Sequence, residues 1–218
     1  MTRPSATTQP GSPGEAIEAE SFRILAERVD LSGFGPLVGA VVARVVHASA
    51  DVDYVTTMVS DEAAVAAGVA ALRSGAPVIA DVEMVAKGIR GPDVVCHLAG
   101  DGDGDGDGDG DGEAITRSAA GIREAAARHP QGAVVVVGCA PTALAEVLRL
   151  ARDEGFAPAI VVGMPVGFVG AADAKSALRA SGLPAVSNVG EKGGSAVAAA
   201  AINAMWRLAQ SPPKAGQA

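Results

Sequence analysis

The residues best suited to chemistry lie in the segment Arg44-Val45-Val46-His47-Ala48-Ser49-Ala50-Asp51. Read as a helix, it places Arg44 one turn before His47 and Asp51 one turn after it, all on one face. A histidine between an arginine and an aspartate can be held in one tautomer and can take up and return a proton during a reaction. The same spacing also suits a capping or surface histidine at a helix end, and spacing alone does not choose. His97 ends a strand-like run, and His129, before Pro130, reads as a solvated residue at a helix C-terminus. The three histidines and two cysteines show no recognised ligand spacing, so no metal site is expected. There is no P-loop, and Gly163, Gly167 and Gly170 are spaced too widely for a dinucleotide fingerprint.

Other side chains could hold an acidic substrate. Arginine is a natural carboxylate clamp because its planar fork pairs with two oxygens. Arg44 could equally be a surface charge on its helix, and Arg117 a first-turn helical residue. A cation in a first turn opposes the helix dipole, which hints at a role outside the fold for Arg117. Asp81 follows the run Val78-Ile79-Ala80, where sites gather in parallel sheets; it could orient a site residue or cap the next helix. Met84 could lie against a flat ligand or fill core. Lys87 could pair with a carboxylate or satisfy helix-end carbonyls. Thr142, after Pro141, can present its hydroxyl and a helix N-terminus to a carboxylate. The segment Gly163-Met164-Pro165-Val166-Gly167-Phe168-Val169-Gly170 follows the apolar run Ala159-Ile160-Val161-Val162. It reads as a tight loop at a strand's C-terminal end that shapes a pocket, with Met164, Gly167 and Phe168 as ligand contacts.

These residues need a scaffold. Apolar spacing predicts helices over 17–30, 36–49, 62–73, 82–87, 113–128, 142–153, 172–180 and 195–208. Valine-rich runs predict strands over 78–80, 93–98, 133–137, 159–162 and 184–186. That alternation implies an α/β fold: a single domain with a mainly parallel sheet flanked by helices on both faces. Residues 1–14 read as a disordered leader, 15–210 as the domain and 211–218 as a frayed tail. Residues 101–112 are six consecutive Asp-Gly repeats. They read as a flexible charged loop; alternating aspartates could also coordinate a hard cation, although the spacing is not that of an EF-hand. At 218 residues the chain can bury a substantial core. Its formal charge of −8 argues against nucleic-acid binding. No stretch resembles a signal peptide or a membrane span, so a soluble cytoplasmic protein is expected. Cys96 and Cys139 each end a valine-rich run and read as small buried hydrophobes without a disulfide.

Seven segments, in order, carry a family resemblance. They are Ile17 to Phe22; Arg44 to Asp51; Gly75 to Gly88; Thr116-Arg117-Ser118-Ala119-Ala120; Ala140-Pro141-Thr142-Ala143-Leu144; Gly163 to Lys175; and Lys192-Gly193-Gly194-Ser195. Together they resemble the precorrin-8X methylmutase family over nearly the whole chain from Ile17 to Met205. The resemblance implies an isomerase of cobalamin biosynthesis that moves a methyl group from C11 to C12 of a precorrin. His47 would be the proton donor and acceptor. Ser21, Arg44 and Arg117 would contact the substrate's polar periphery, Arg117 from the partner subunit of a homodimer. No cofactor is implied beyond cobalt carried by the substrate itself. The implied partners are a tetrapyrrole rich in carboxylates and neighbouring enzymes of the vitamin B12 pathway. Cys139 stands where the family commonly has asparagine, and Glu191 where an arginine is often found, which puts two polar contacts in question. A corrin carrier without catalysis would use the same pocket.

Overall fold

The computed structural model describes residues 12–97 and 115–211. The expected Asp-Gly loop, most of the leader and nearly all of the tail lie outside the described residues. The first half holds α1 (Pro13–Arg28), α2 (Pro36–Ser49), α3 (Tyr54–Thr57), β1 (Met58–Val59), α4 (Glu62–Arg73), β2 (Val78–Ala80), α5 (Glu83–Gly88) and β3 (Val94–Val95). The second half holds α6 (Arg117–Arg128), β4 (Val134–Val137), α7 (Pro141–Asp153), β5 (Ile160–Gly163), α8 (Ala171–Ala180), β6 (Ala185–Asn188) and α9 (Ser195–Gln210).

The strands form one sheet in the order β1-β6-β5-β4-β2-β3. Every pairing is parallel except β1 with β6. Parallel strands covered on both faces read as continuous apolar runs, and β4 is four valines, all buried. Val134 and Val136 face the core under α2, α4 and α9, while Val135 and Val137 face the core under α6, α7 and α8. Each such valine contributes about 1.5–3 kcal/mol on burial, more than helix propensity supplies per residue. The α/β sandwich expected from the sequence is therefore what forms.

The α2–α4–α5–α9 layer is built on small residues. A Cβ added at Gly88 would sit 2.8 Å from Ala199, and one at Gly68 2.9 Å from Ile160 and 3.0 Å from Met205. The alanines of α9 allow this close approach. At the start of α2, Pro36 occupies the first turn, where its missing N–H costs nothing. The next donors, the N–H groups of Leu37 and Val38, go to the Glu62 carboxylate of α4 at 3.2 and 2.8 Å.

Some boundaries differ from the sequence reading. Helix α1 opens at Pro13, inside the stretch read as leader, because Ser12 and Glu15 form a capping box. The segment α3–β1 was not expected at all; four and two residues are too short to show a period. Strand β3 spans only two residues. Both cysteines are free, but Cys139 is exposed and Cys96 only partly buried, so neither is the core residue expected.

Lys175 on α8 is fully buried. Its Nζ donates to the Lys192 carbonyl at 2.5 Å and to Asn188 Oδ1 at 3.3 Å. Burial, with Arg179 repulsion added, pulls its pKa down to about 8 against a weaker pull from Glu191. In the unfolded chain a lysine titrates near ~10.4. Between those values the unfolded state binds more protons, so this group makes stability rise with pH from about 8 to about 10.4. Urea unfolding of the parent should show that rise, and a folded Lys175→Met variant should lack it. Equal slopes in the two proteins would contradict the buried, depressed lysine.

Candidate functional site

Helix α1 presents Glu18, Ser21, Phe22 and Leu25 at intervals of three, four and seven residues, hence on one face. That face lies on the last turns of α2. Ser21 Oγ stands 2.8 Å from His47 Nδ1. The Phe22 ring stacks on the imidazole with centroids 4.7 Å apart and planes 7° from parallel. The Arg44 guanidinium carbon lies 4.8 Å from the Phe22 centroid. Arg44 Nη1 donates to Glu18 Oε1 at 2.6 Å, and Arg207 of α9 reaches the same oxygen at 3.3 Å. The hydrogen bond from Arg44 is the main reason that the Glu18 carboxyl titrates below its ordinary range.

Asp51 is not where a continued helix would put it. Helix α2 ends at Ser49, and Ala50 turns into the left-handed region at φ 54°. Asp51 then points to Lys192, 2.7 Å away. The partner of His47 is therefore Ser21, reached from another helix. The resemblance implied Ser21 at the substrate's periphery; in the structure its hydroxyl meets the imidazole. A hydroxyl can donate to a bare ring nitrogen or accept from a protonated one, so it can follow His47 through both protonation states. Among the described residues nothing bonds Nε2, and the ring is only half-buried. Arg44 keeps donors in excess of its Glu18 contact, and its other role is to hold α1 down.

The carboxyl edge of the sheet carries the second group. The chain continues from β2 to β3 on one side and then returns to place β4 on the other side of β2. Such a reversal leaves a crevice between the diverging loops, a usual ligand position. Asp81 lies there, almost wholly buried. It neither caps α5, whose N-cap is Val82, nor touches His47. It accepts from the N–H groups of Gly138, Cys139 and Ala140 at 3.1, 2.8 and 2.9 Å. Burial pushes its pKa up, against those three donors. Its task is to bind the β4–α7 turn. Because the contact at 139 uses the main chain, cysteine preserves it as well as asparagine would.

Met84 is exposed at the crevice's rim, and Lys87 is exposed with only a 3.9 Å approach to Glu83. Thr142, in the first turn of α7, meets Thr116, the N-cap of α6, oxygen to oxygen at 2.8 Å. Arg117 opens α6 beside this pair and is exposed. No hydrogen bond or ion pair joins it to the His47 group among the described residues. In the β5–α8 loop Phe168 is 97 % exposed and Gly167 adopts φ 142°, its N–H bonded to the Glu191 carbonyl. Met164 corrects the expectation of a ligand contact: it is fully buried under α2 and α9 and supplies core. A Cβ at Gly193 would lie 2.3 Å from the Met164 carbonyl, so the β6–α9 loop packs directly on the β5–α8 loop.

A groove of about 1090 Å³ runs along α6, α7 and α8, with Thr116 and Thr142 at one end. Its arginines are engaged: Arg123 and Arg149 on Glu146, Arg152 on Asp153. It contains none of Ser21, Arg44 and His47, so concavity does not mark the candidate site. Sequence reasoning missed Glu18 as the partner of both Arg44 and Arg207, Phe22 as the stacking ring, and Lys192 as the partner of Asp51. Only the four-residue spacing of Glu18 and Phe22 placed those two on a shared face in advance.

Comparison with known proteins bears on this arrangement. Residues 16–208 match the family model described as precorrin-8X methylmutase. A cobalt-precorrin-8 methylmutase of Methanocaldococcus jannaschii is 36% identical over 197 residues, 90% of this chain and 91% of the relative. A precorrin-8X methylmutase of Sinorhizobium is 39% identical over 202 residues, covering 89% and 94%. The crystal structure of precorrin-8X methylmutase from Thermus thermophilus superposes with a TM-score of 0.78 at 38% identity, covering 89% of this chain and 96% of the other. With the same fold, near full-length coverage of its relatives and a family model matching residues 16–208, the chain belongs to the precorrin-8X methylmutase family.

Proposed function

We propose that this isomerase moves a methyl group from C11 to C12 of precorrin-8X, or of its cobalt form, giving hydrogenobyrinic or cobyrinic acid. His47 is the proton donor and acceptor. The observation that supports it most is the 2.8 Å contact of Ser21 with His47 Nδ1, which leaves Nε2 for the substrate. Protonating the macrocycle near ring C draws electron density from the bond to the migrating methyl, and the same nitrogen recovers the proton afterwards. The C11–methyl bond breaks as the C12–methyl bond forms, so the reaction needs no redox or nucleotide cofactor; any cobalt arrives with the substrate. The stacked Phe22 ring fixes the plane of the imidazole. Ser21 reverses its hydrogen bond as the proton leaves and returns.

Arg117, Lys87 and Thr142 serve the substrate's carboxylates, and Met84 and Phe168 offer apolar faces to its flat ring. Arg117 acts from the second subunit of a homodimer, which agrees with its exposure and with its lack of a contact to the His47 group in its own chain. In the described residues no helix is long and apolar enough to cross a membrane.

The test is the visible spectrum of purified protein mixed with precorrin-8X. The parent should convert it to the corrin spectrum. Folded His47→Ala should lose about a hundredfold or more of the rate, the usual worth of a positioned proton carrier. Ser21→Ala, which removes one neutral hydrogen bond, should lose about tenfold. Parental turnover by His47→Ala would remove the proton-carrier role. Binding with no spectral change by the parent, on metal-free and cobalt-loaded substrate alike, would make the protein a carrier instead.

A further inference from the structure

The exit of the chain from α2 is strained and then clamped. Among the described residues Ala50 alone adopts a positive φ without being glycine. A left-handed alanine is unfavourable and persists only where its surroundings fix it. The fixing contacts are visible. Ser49 Oγ donates to the Val45 carbonyl at 2.9 Å and accepts from the Asp51 N–H at 3.2 Å. Beyond it, Lys192 Nζ lies 2.7 Å from Asp51 Oδ2 and 2.7 Å from Asp53 Oδ2. Asp53 in turn accepts the first hydrogen bonds of α3 through its carbonyl, from Thr56 and Thr57.

Lys192 is itself held. Its carbonyl accepts from the buried Lys175 ammonium at 2.5 Å and from Asn188 Nδ2 at 2.8 Å. The next carbonyl upstream, that of Glu191, accepts from Gly167 in the β5–α8 loop. A set of short contacts thus runs from that loop, through Glu191 and Lys192, to the residues that follow His47, with Lys175 holding Lys192 from below. The opposite end of α2 is bound by Glu62. Helix α2 is therefore fixed at both ends by charges from other elements, and His47 stands three residues before the strained turn.

We propose that Lys192 is a positioning residue for His47. Its ammonium, shared by Asp51 and Asp53 and anchored through its carbonyl by Lys175, sets the end of α2 against the β5–α8 loop, and so sets where Nε2 points. The proposal rests on the reading of His47 as proton carrier. It differs from a salt bridge kept for stability, because its effect falls on the reaction rather than on the fold or on substrate affinity. Misplacing a proton carrier by a fraction of an ångström slows the chemical step without weakening binding elsewhere.

The test measures kcat and KM on precorrin-8X, together with thermal melting, for the parent, Lys192→Met, Lys192→Arg, an Asp51→Asn/Asp53→Asn double variant, the triple combination of that pair with Lys192→Met, and His47→Ala. Lys192→Met should lose roughly ten- to a hundredfold in kcat with KM within about twofold of the parent. Lys192→Arg, whose fork can serve two carboxylates, should recover most of that loss. The triple variant should be no slower than Lys192→Met alone, since all three side chains act through one contact. A raised KM with parental kcat in Lys192→Met would show that Lys192 binds substrate directly, and overturns the proposal. Lower melting with parental kinetics overturns it as well, by leaving a clamp with no catalytic consequence. If Lys192→Met does not fold, the Asp51→Asn/Asp53→Asn variant carries the same comparison from the carboxylate side. Parental turnover by His47→Ala would instead strike the proton-carrier reading beneath it.

Discussion

Two buried charges of opposite sign hold the carboxyl edge of the sheet, and they do so through main-chain groups rather than through each other. Asp81 gathers three consecutive N–H groups of the β4–α7 turn. Lys175 gives its ammonium to the Lys192 carbonyl of the β6–α9 loop. A charge without water needs hydrogen bonds to remain tolerable, and a loop near the end of a strand has unpaired backbone groups to offer. Each satisfies the other's requirement. The result is a rim of loops whose backbone is fixed from below, with the exposed side chains Met84, Thr142 and Phe168 carried on it.

His47 depends on that rim although it belongs to a helix on one face of the sheet. Its helix is long enough to be secured by core packing of Val38, Val41, Val42, Val45 and Val46, yet core packing alone does not set rotation and depth at the final turn. Those are set by Ser21, Phe22 and Glu18 from α1 on one side and by the loop after Asp51 on the other. Helix α1 buries only Leu25, so its seat on α2 comes mostly from the polar and aromatic contacts around the histidine. His47 and the helix that supports it stabilise one another. The acidity of the chain is also less of an obstacle than its total suggests: the six aspartates of the Asp-Gly repeat supply most of the formal charge of −8, whereas the His47 surroundings hold Arg44 and Arg207.

The sheet and the long helices were legible because valine runs and 3.6-residue spacing are local signals that packing reinforces. Helix α2 was found with both ends correct. The continuation that would have brought Asp51 onto the face of His47 was not, because an alanine in the left-handed region leaves no mark in the sequence where a glycine would have. Ser12 and Glu15 did carry a legible start signal for α1. Asp81 shows the opposite limit: its donors lie 57 to 59 residues away, and only the topology that sets β4 beside β2 brings them near. Met164 looked like a loop residue since prolines and glycines surround it, but the strand's last step turns it into the core. The family resemblance named Ser21 without revealing its partner, which requires α1 to be docked.

The main-chain contact at Cys139 has an evolutionary corollary. Since the carboxylate of Asp81 reads only the amide of that residue, the fold places no demand on what the side chain is. The side chain faces solvent, so replacing it leaves the hydrogen bond beneath it in place. Substitution there would be filtered by what the enzyme meets and not by whether it folds.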